Sequence, residues 1–220
     1  ASCLVGSEMC IRDRFITGIA GFLGSHLADQ FINDGHHVVG CDSLIGGELN
    51  NVPEKAEFYQ YDCCFRNSML KITKGCDIVY HTAATAYEGL SVFSPHLITQ
   101  NIVTGSVSLF SAAIQNKVKR IIFCSSMARY GTNKVPFQEN FTPHPQDPYG
   151  IAKVAAENIL INLCKVHNVE YVIAVPHNII GPRQKYDDPY RNVASIMINL
   201  MLQNRQPIIE VNLFNFTVFF

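Results

Sequence analysis

Short runs of consecutive apolar residues alternate along this chain with longer segments in which apolar residues recur every three or four positions. The short runs are typical of buried strands, and the longer segments are typical of amphipathic helices. The pattern predicts strands at residues 14–17, 37–41, 58–61, 77–81, 120–124 and 171–175. It predicts helices from the glycine-rich turn at 18–24 through residue 33, within 94–115, at 148–167 and at 192–204. This alternation favours a doubly wound α/β fold, in which helices cover both faces of a parallel sheet.

Composition and charge narrow the class of protein. A length of 220 residues predicts one domain or slightly more, and 48% hydrophobic with 16% charged residues is typical of a globular protein. Seventeen basic and eighteen acidic side chains give a net charge of -1 without a block of like charge, so nucleic acid is not an expected partner. No apolar run approaches the ~18 residues of a membrane span, so no membrane association is expected either.

The cysteines indicate a reducing compartment. The eight cysteines form no CxxC pair and no cluster with zinc-ligand spacing, so neither a disulfide framework nor a metal site is predicted. Cys41 and Cys124 end apolar runs, where a free cysteine acts as a small hydrophobic residue. We therefore expect a cytoplasmic protein.

Both ends of the chain depart from the pattern. Residues 3–14, CLVGSEMCIRDR, resemble translated sequencing-adapter sequence, and residues 1–14 are predicted to be a non-native leader; an ordinary disordered terminus is the alternative. The tail at 211–220, VNLFNFTVFF, is rich in aromatic residues and carries no turn or cap signal. The sequence is therefore interpreted as a fragment at both ends.

The segment TGIAGFLG at residues 17–24 joins the first predicted strand to the first helix. Gly18 permits a tight turn, Gly21 lets the backbone approach a pyrophosphate, and Gly24 lets the helix pack on the strand. The helix N-terminus adds free N–H groups and the positive end of its dipole. Such a triplet alone is weak evidence, but its position between a strand and a helix predicts a dinucleotide site.

Two acids follow the next strands. Asp42 stands close to the ~20 residues beyond Gly18 at which an acid binds the ribose hydroxyls of a dinucleotide and repels a 2′-phosphate. Because no Lys or Arg lies between Asp42 and Lys55, NAD is favoured over NADP. Asp62 is predicted to meet the adenine amino group. The alternatives are a turn residue at position 42 and a solvated cap at position 62.

A second set of residues suggests acid–base chemistry. Tyr149 and Lys153 are four residues apart at the start of a predicted helix, which places them on one face. An ammonium beside a phenol stabilises the phenolate, so the pKa of Tyr149 is expected to fall from about 10 toward neutrality. Ser125 and Ser126 follow the fifth strand at the sheet edge where α/β proteins bind ligands. Taken singly, each of these features is more often structural.

In this order and spacing, the motifs resemble those of the NAD-dependent epimerase/dehydratase family, a branch of the extended short-chain dehydrogenases/reductases. The resemblance runs from about residue 15 to residue 207. It rests on TGIAGFLGSH, HTAA, SSMARYG, YGIAK and HNIIGPRQ, together with Asp42, Asp62 and Asn101. It implies a Rossmann-type NAD-binding domain at 15–176 and the start of a substrate-binding region at 177–220, most of which is missing.

The resemblance also implies roles for individual residues. Ser126, Tyr149 and Lys153 match the family's catalytic set, and Ser126 is preferred to Ser125 because it stands five residues before Gly131. Substrate contacts are implied for Ser126, Tyr149 and Asn178. Cofactor contacts are implied for Gly18, Gly21, Phe22, Leu23, Gly24, Asp42, Asp62, Cys63, Thr82, Ala83, Ala84, Asn101, Tyr149, Lys153 and His177. His177 departs from the family's usual Phe or Tyr, and His81 is interpreted as a buried structural histidine.

The residues after Ser126 bear on the reaction. The family's 4,6-dehydratases usually carry an acid there, whereas this chain has Met127, Ala128 and Arg129. The resemblance therefore implies 4-epimerisation of a UDP-hexose through transient oxidation by bound NAD, with Tyr149 as acid and base. A nucleotide sugar is the expected substrate, the full-length protein is expected to be a homodimer, and this fragment is expected to turn over little or nothing. A 4,6-dehydratase, a reductase and a non-catalytic NAD-binding module remain as alternatives.

Overall fold

A computed structural model describes residues 13–187 and 193–206, together with the backbone of the strands Ile208–Asn212 and Asn215–Phe219. Residues 1–12, which make up most of the predicted leader, lie outside the described residues. Arg14 belonged both to that leader and to the predicted strand at 14–17, and it is the first residue of a buried strand, where it pairs with Val38 and Ile78.

Strands and helices alternate through most of the chain. In order they are β1 (Arg14–Thr17), α1 (Phe22–Asn33), β2 (Val38–Cys41), β3 (Glu57–Tyr59), α2 (Arg66–Ile72), β4 (Ile78–His81), α3 (Glu88–Ser91), α4 (Pro95–Thr99), α5 (Gly105–Gln115), β5 (Arg120–Cys124), α6 (Pro148–His167), β6 (Glu170–Ala174), α7 (Val193–Leu202), β7 (Ile208–Asn212) and β8 (Asn215–Phe219). Short 3₁₀ turns lie at Leu49–Asn51 and Met127–Arg129, and a π-helical turn, Gln100–Thr104, joins α4 to α5.

The first six strands form one parallel sheet in the order β3-β2-β1-β4-β5-β6. The order reverses direction between β1 and β4, which confirms the doubly wound, Rossmann-type fold predicted from the sequence. In such sheets ligands bind in the crevice at the carboxyl ends of the strands beside the reversal point. Thr17, Cys41 and His81 are register partners at that end of the sheet. Strands β7 and β8 form a separate antiparallel pair.

Buried side chains cover both faces of the sheet. One cluster contains Phe15, Leu109, Phe110, Phe123 and Leu160, which join the strands to α5 and α6. A smaller cluster on the other face contains Ile16, Ile19, Ala28 and Val38, and it packs α1 against the strands. Because both faces are covered at the centre of the sheet, β1, β2 and β4 are short, largely buried runs that the sequence pattern located to within one residue, whereas the edge strands β3 and β6 carry exposed residues and differ from the predicted bounds by one or two residues.

The segment Pro95–Gln115 bears on the expectation that no part of the chain is apolar over the length of a membrane span. Its 21 residues have a mean hydropathy of 1.4 over an 18-residue window, so by length and composition one helix in the described part of the chain could cross a membrane. Half of that window is buried inside the fold, where α5 packs against α2 and α6. Core helices of this kind pass the same test of length and hydropathy, so the absence of membrane association stays a prediction.

The boundaries of α6 agree with the sequence pattern because its end signals are strong. The Asp147 side chain accepts a hydrogen bond from the Gly150 N–H at 2.9 Å, and Pro148 occupies the first turn. Asn168 ends the helix in the left-handed conformation, with φ of 55°. The short helices α2 and α3 have no comparable signals and were not predicted. The predicted helix at 192–204 corresponds to α7, with residue 192 outside the described residues.

Six cysteines lie in the described part of the chain, and all of them are free thiols. They are Cys41, Cys63, Cys64, Cys76, Cys124 and Cys164. Four of the six are buried, in keeping with their reading as small hydrophobic residues. Cys3 and Cys10 lie outside the described residues.

Candidate active site

A cleft of about 510 Å³ lies at the carboxyl ends of the central strands. It brings both groups of sequence-predicted residues together: the glycine turn and Asp42 line one part, and Ser126, Tyr149 and Lys153 line another. The cleft is therefore continuous from the predicted dinucleotide site to the predicted acid–base residues. Cavities of this size are typical of small-molecule and cofactor sites.

The glycine turn is packed so closely that side chains are excluded from it. Gly18 has a φ of +72°, and a Cβ atom there would lie 2.9 Å from the backbone of Ala83. A Cβ atom on Gly24 would lie 2.1 Å from the Gly18 carbonyl oxygen, which is far inside van der Waals contact. Glycine is therefore required at both positions, for the turn and for the packing of α1 on β1.

The N-terminus of α1 opens into the same cleft. Gly21 precedes the helix, no side chain caps it, and the cleft is lined by Gly21, Phe22, Leu23 and Gly24. The first N–H groups of a helix have no partner within the helix and attract anions together with the helix dipole. These residues thus fit a dinucleotide pyrophosphate.

Asp42 lies at the end of β2 and is 8% exposed. Its carboxylate accepts hydrogen bonds from the Ala20 N–H at 3.1 Å and the Leu44 N–H at 2.8 Å. Burial raises the pKa of Asp42, while these backbone N–H groups act in the opposite direction. A carboxylate has about four acceptor sites and the N–H groups of Ala20, Ser43 and Leu44 use three, so the group can still accept a hydrogen bond from a ribose hydroxyl.

The loop after Asp42 also lines the cleft and was not assigned to the site from sequence. Its lining residues are Ser43, Ile45, Gly46 and Gly47. A Cβ atom on Gly47 would lie 2.8 Å from the Asp42 carboxylate, so this loop folds tightly over the acid. The neighbouring glycines Gly46 and Gly47 were the sequence signal that could have identified this loop as part of the site. Asp62 and Cys63 line the cleft as well, and Asp62 accepts a hydrogen bond from the Cys64 N–H at 2.8 Å.

Hydrogen bonds hold Thr82 and Asn101, two of the residues predicted to contact the cofactor. The Thr82 hydroxyl donates to the Thr17 carbonyl at 2.6 Å, and the Asn101 amide donates to the Thr85 hydroxyl at 2.8 Å. The segment 82–89 lines the cleft together with Asn101. Ala83 and Ala84 contribute backbone and small side chains there. The structure thus places these residues in the cleft, as the resemblance implied.

Ser126 and Tyr149 meet at the other end of the cleft. Ser126 precedes the 3₁₀ turn Met127–Arg129 and accepts a hydrogen bond from the Ala128 N–H at 3.2 Å. Tyr149 is 7% exposed and lies in the first turn of α6. The Ser126 hydroxyl lies on the same wall and acts to lower the pKa of Tyr149, which favours the phenolate. The geometry therefore pairs a hydroxyl donor with a buried phenol on one wall of the cleft.

The expected effect of Lys153 on Tyr149 is wrong for this structure. Burial raises the pKa of Tyr149 to about 12 despite the Ser126 hydrogen bond. The Lys153 ammonium donates to the Cys124 carbonyl at 2.7 Å and lies 5.9 Å from the centre of the Tyr149 ring. Its own pKa falls to about 8 because it is buried. Spacing placed the two residues on one face, but desolvation is the larger effect on the phenol.

His81 is a buried structural histidine, as the sequence reading favoured. The Ala83 N–H donates to the Thr17 hydroxyl at 3.2 Å, and that hydroxyl is hydrogen-bonded to His81 Nδ1 at 2.7 Å. His81 Nε2 is hydrogen-bonded to the Ser106 hydroxyl at 2.9 Å. Burial and the charge of Lys153 lower the pKa of His81 to about 3. The ring is therefore neutral and links β1, β4 and α5.

His177 does not join the other predicted residues. It is exposed, it does not line the cleft, and its Nε2 lies 3.3 Å from the amide nitrogen of Asn178. Asn178 does line the cleft, together with Pro176 and Ile179.

Glu88 lines the cleft, a placement that the sequence left open. It begins α3, and burial together with the nearby Asp147 raises its pKa. The Glu88 carboxylate also raises the pKa of Tyr149. A carboxyl group therefore lies near the phenol even though no acid follows Ser126 in the sequence.

A Rossmann-type sheet with a glycine turn, a strand-end acid and a Ser-Tyr-Lys wall in one cleft defines a dinucleotide-binding protein of the short-chain dehydrogenase/reductase type. The model of the NAD dependent epimerase/dehydratase family matches residues 14–215. The chain belongs to this family, which confirms the resemblance seen in the motifs.

Relatives and solved structures agree with this assignment. A putative UDP-glucose 4-epimerase of Methanocaldococcus jannaschii is 35% identical over 199 residues, which cover 88% of this chain and 64% of the relative. UDP-glucose 4-epimerase of Thermotoga maritima, solved with UDP-glucose, is 34% identical with a TM-score of 0.83, over 88% of this chain and 64% of that one. The Thermus thermophilus UDP-glucose 4-epimerase, solved with NAD, is 28% identical with a TM-score of 0.80, over 89% and 64%.

The chain thus spans 64% of the length of the M. jannaschii and T. maritima proteins. A dTDP-glucose 4,6-dehydratase from Streptomyces venezuelae has a TM-score of 0.80 at 21% identity, over 87% of this chain and 62% of that one. That similarity shows the fold alone, so the fold does not separate an epimerase from a dehydratase.

Proposed function

We propose that this chain is the NAD-binding part of an enzyme that interconverts the 4-epimers of a UDP-hexose. The observation that carries the proposal is the convergence of Ser126, Tyr149 and Lys153 on one wall of the cleft that also holds the glycine turn and Asp42. Relatives at 30–35% identity named UDP-glucose 4-epimerases support the sugar class. Residues 15–176 would then form the NAD-binding domain, and 177–220 would begin the substrate-binding region.

NAD is the proposed cofactor. The glycine turn and the uncapped N-terminus of α1 would hold its pyrophosphate, Asp42 its adenosine ribose, and Asp62 with Cys63 the adenine side. Lys153 lies at the far end of the cleft and would hold the hydroxyls of the second ribose. When bound, NAD⁺ supplies the two-electron acceptor and donor that the protein itself lacks.

Tyr149 would exchange the proton of the sugar hydroxyl. The Tyr149 phenol is the group on this wall that can take up a proton from a hydroxyl, and the Ser126 hydroxyl lies beside it. Ser126 would hold the sugar oxygen in line with that phenol, and Asn178 would contact the sugar from the opposite loop. In this structure the pKa of the Tyr149 phenol is about 12. The positive charge of Lys153 would therefore have to approach the Tyr149 oxygen before Tyr149 could take up the substrate's proton at neutral pH.

One observation favours the 4,6-dehydratase alternative. Such an enzyme needs a proton donor for the departing hydroxyl besides Tyr149, and neither Met127 nor Ala128 can donate a proton. Glu88 lines the same cleft, and its raised pKa keeps more of it in the acid form. Glu88 would therefore be the proton donor that the residues directly after Ser126 cannot provide.

The products distinguish the two reactions. The full-length protein that contains this chain is incubated with NAD and with UDP-glucose, UDP-galactose or their N-acetyl forms, and the sugars are separated by chromatography; Tyr149→Phe is the control. The proposal predicts conversion of each sugar into its 4-epimer by the unsubstituted full-length protein only. A stable 4-keto-6-deoxy sugar that disappears in Glu88→Gln would establish the dehydratase, and conversion of no UDP-hexose by the full-length protein would contradict both reactions.

A further inference from the structure

A buried carboxylate lies directly behind the Ser-Tyr-Lys wall. Glu157 is on α6, one turn after Lys153, and its side chain is 2% exposed. One carboxylate oxygen accepts a hydrogen bond from the Ser125 hydroxyl, and the other lies 3.2 Å from Arg129 Nη2. A buried carboxylate is costly unless it is paired, so the two partners are what make this position tolerable.

The partners of Glu157 stand on either side of Ser126. Ser125 directly precedes it, and Arg129 ends the 3₁₀ turn that Ser126 begins. The Lys153 ammonium donates a hydrogen bond at 2.7 Å to the carbonyl of Cys124, the residue before Ser125. Helix α6 thus holds the segment 124–129 at three points, and Ser126 within it lines the cleft beside Tyr149.

The backbone of the segment also lies tightly on α6. A Cβ atom on Gly150 would lie 2.9 Å from the Ala128 carbonyl oxygen, so the segment and the first turn of the helix are in direct contact. Glu157 itself does not line the cleft, and neither does Arg129. The carboxylate can therefore affect the site only through the residues that it holds.

We propose that Glu157 is a positioning residue, which fixes the Ser126 hydroxyl against the Tyr149 phenol by holding Ser125 and Arg129 on α6. The inference rests on the proposed function only in taking Ser126 and Tyr149 as the reacting pair. Without the carboxylate, Arg129 and Ser125 lose their common partner, and the segment carrying Ser126 is free to shift. Misplacement of a reacting group by about 1 Å is enough to lower a rate by about 10²-fold.

Glu157→Gln tests the inference, because the amide keeps the size of the side chain and removes its charge. In the full-length protein that contains this chain, we expect kcat for UDP-hexose epimerisation to fall roughly 10–100-fold, with KM within about twofold of the unsubstituted protein. The matched control is Glu170→Gln, which removes an exposed carboxylate that also pairs with an arginine, Arg120. It should leave kcat and KM unchanged, and an equal fall in both variants would overturn the inference.

A second pair of variants separates positioning from a general structural role. In a Ser126→Ala background there is no hydroxyl left to position, so Glu157→Gln should lower kcat by less than about twofold further. The same fold-loss in both backgrounds would show that Glu157 acts independently of Ser126 and would overturn the proposal.

Amide hydrogen exchange tests the same inference without any activity. Exchange in the segment 124–130 should accelerate in Glu157→Gln and remain unchanged in Glu170→Gln. If Glu157→Gln fails to fold, Ser125→Ala takes its place as the test variant. It leaves the buried ion pair intact and should accelerate exchange in the same segment. Unchanged exchange in 124–130 would overturn the inference, whereas a chain without epimerase activity but with this exchange pattern would contradict only the proposed function.

Discussion

The two ends of the cleft are built from different parts of the polypeptide. At the glycine turn, backbone groups face the cleft and side chains are excluded, since a Cβ atom on Gly24 would lie 2.1 Å from the Gly18 oxygen. At the other end, side chains form the wall, and a buried network behind it holds them. The first end is suited to recognise a group common to all dinucleotides, and the second to carry out one reaction.

This difference predicts that substitutions at the two ends have different consequences. Changes in the glycine turn should affect folding and cofactor affinity together, because the backbone serves both. Changes at Ser126 and Tyr149 should affect the reaction with little effect on cofactor affinity. Four variants, taken from the largest expected effect to the smallest, test that separation.

Tyr149→Phe should have the largest effect. It removes the proposed proton acceptor and keeps the ring that packs against Ile98 and Ala152, so kcat for UDP-hexose epimerisation by the full-length protein should fall by about 10²–10⁴-fold. The measurement is a steady-state assay of both sugar epimers. Near-normal turnover would remove Tyr149 from the reaction.

Lys153 should give the stability of the chain a specific pH dependence. Its pKa of about 8 lies below the 10.5 of an exposed lysine. Between these values the unfolded chain holds a proton that the folded chain lacks, so the free energy of unfolding should rise with pH by up to about 1.4 kcal/mol per unit. Below pH 8 both states are protonated and this contribution is flat.

Denaturant unfolding of the unsubstituted chain and of Lys153→Met, compared from pH 7 upward, isolates this contribution. The raised pKa values of Tyr149 and the cysteines act in both proteins and largely cancel in the difference. A difference that does not change with pH would contradict the depressed pKa.

Gly24→Ala should destabilise the fold by about 1–3 kcal/mol, because the added methyl group meets the Gly18 backbone. Gly75→Ala is the matched control: Gly75 has a φ of +86° and nothing within 4 Å of its added Cβ, so only backbone strain is introduced. Thermal unfolding compares the two. Equal stability losses would show that the close packing of the glycine turn is not what the structure indicates.

Asp42→Ala should have the smallest effect, confined to cofactor choice. The carboxylate at the ribose position is expected to favour NAD over NADP by about tenfold, close to 1.4 kcal/mol, and its removal should erode that preference. Titrations of both cofactors measure it. Equal affinities in the unsubstituted chain would refute the role of Asp42.

The sequence predicted the sheet and the glycine turn well, for a physical reason. Strands buried on both faces are continuous apolar runs, and the turn is fixed by residues adjacent in the chain. The termini of α6 were equally accessible, since Asp147, Pro148 and Asn168 carry local signals. The short helix α2 has no side-chain cap and escaped the pattern.

The details of the acid–base wall depended on contacts between distant parts of the chain. Spacing placed Tyr149 and Lys153 on one face but could not show that the ammonium finds the Cys124 carbonyl, or that burial dominates the pKa of the phenol. The pairing of Glu157 with Ser125 and Arg129 joins residues about 30 positions apart. Periodicity carries no signal for such contacts, because the register between loop and helix is set by packing.

The most direct test of the separation between the two ends is one calorimetric titration of NAD into three proteins: the unsubstituted chain, Tyr149→Phe and Gly24→Ala. The structure predicts that the first two bind NAD with affinities within about twofold, because Tyr149 is not part of the pyrophosphate or adenosine contacts. Gly24→Ala should lose most of its affinity even at a temperature where it remains folded. Undiminished binding by folded Gly24→Ala, or its loss in Tyr149→Phe alone, would contradict the account.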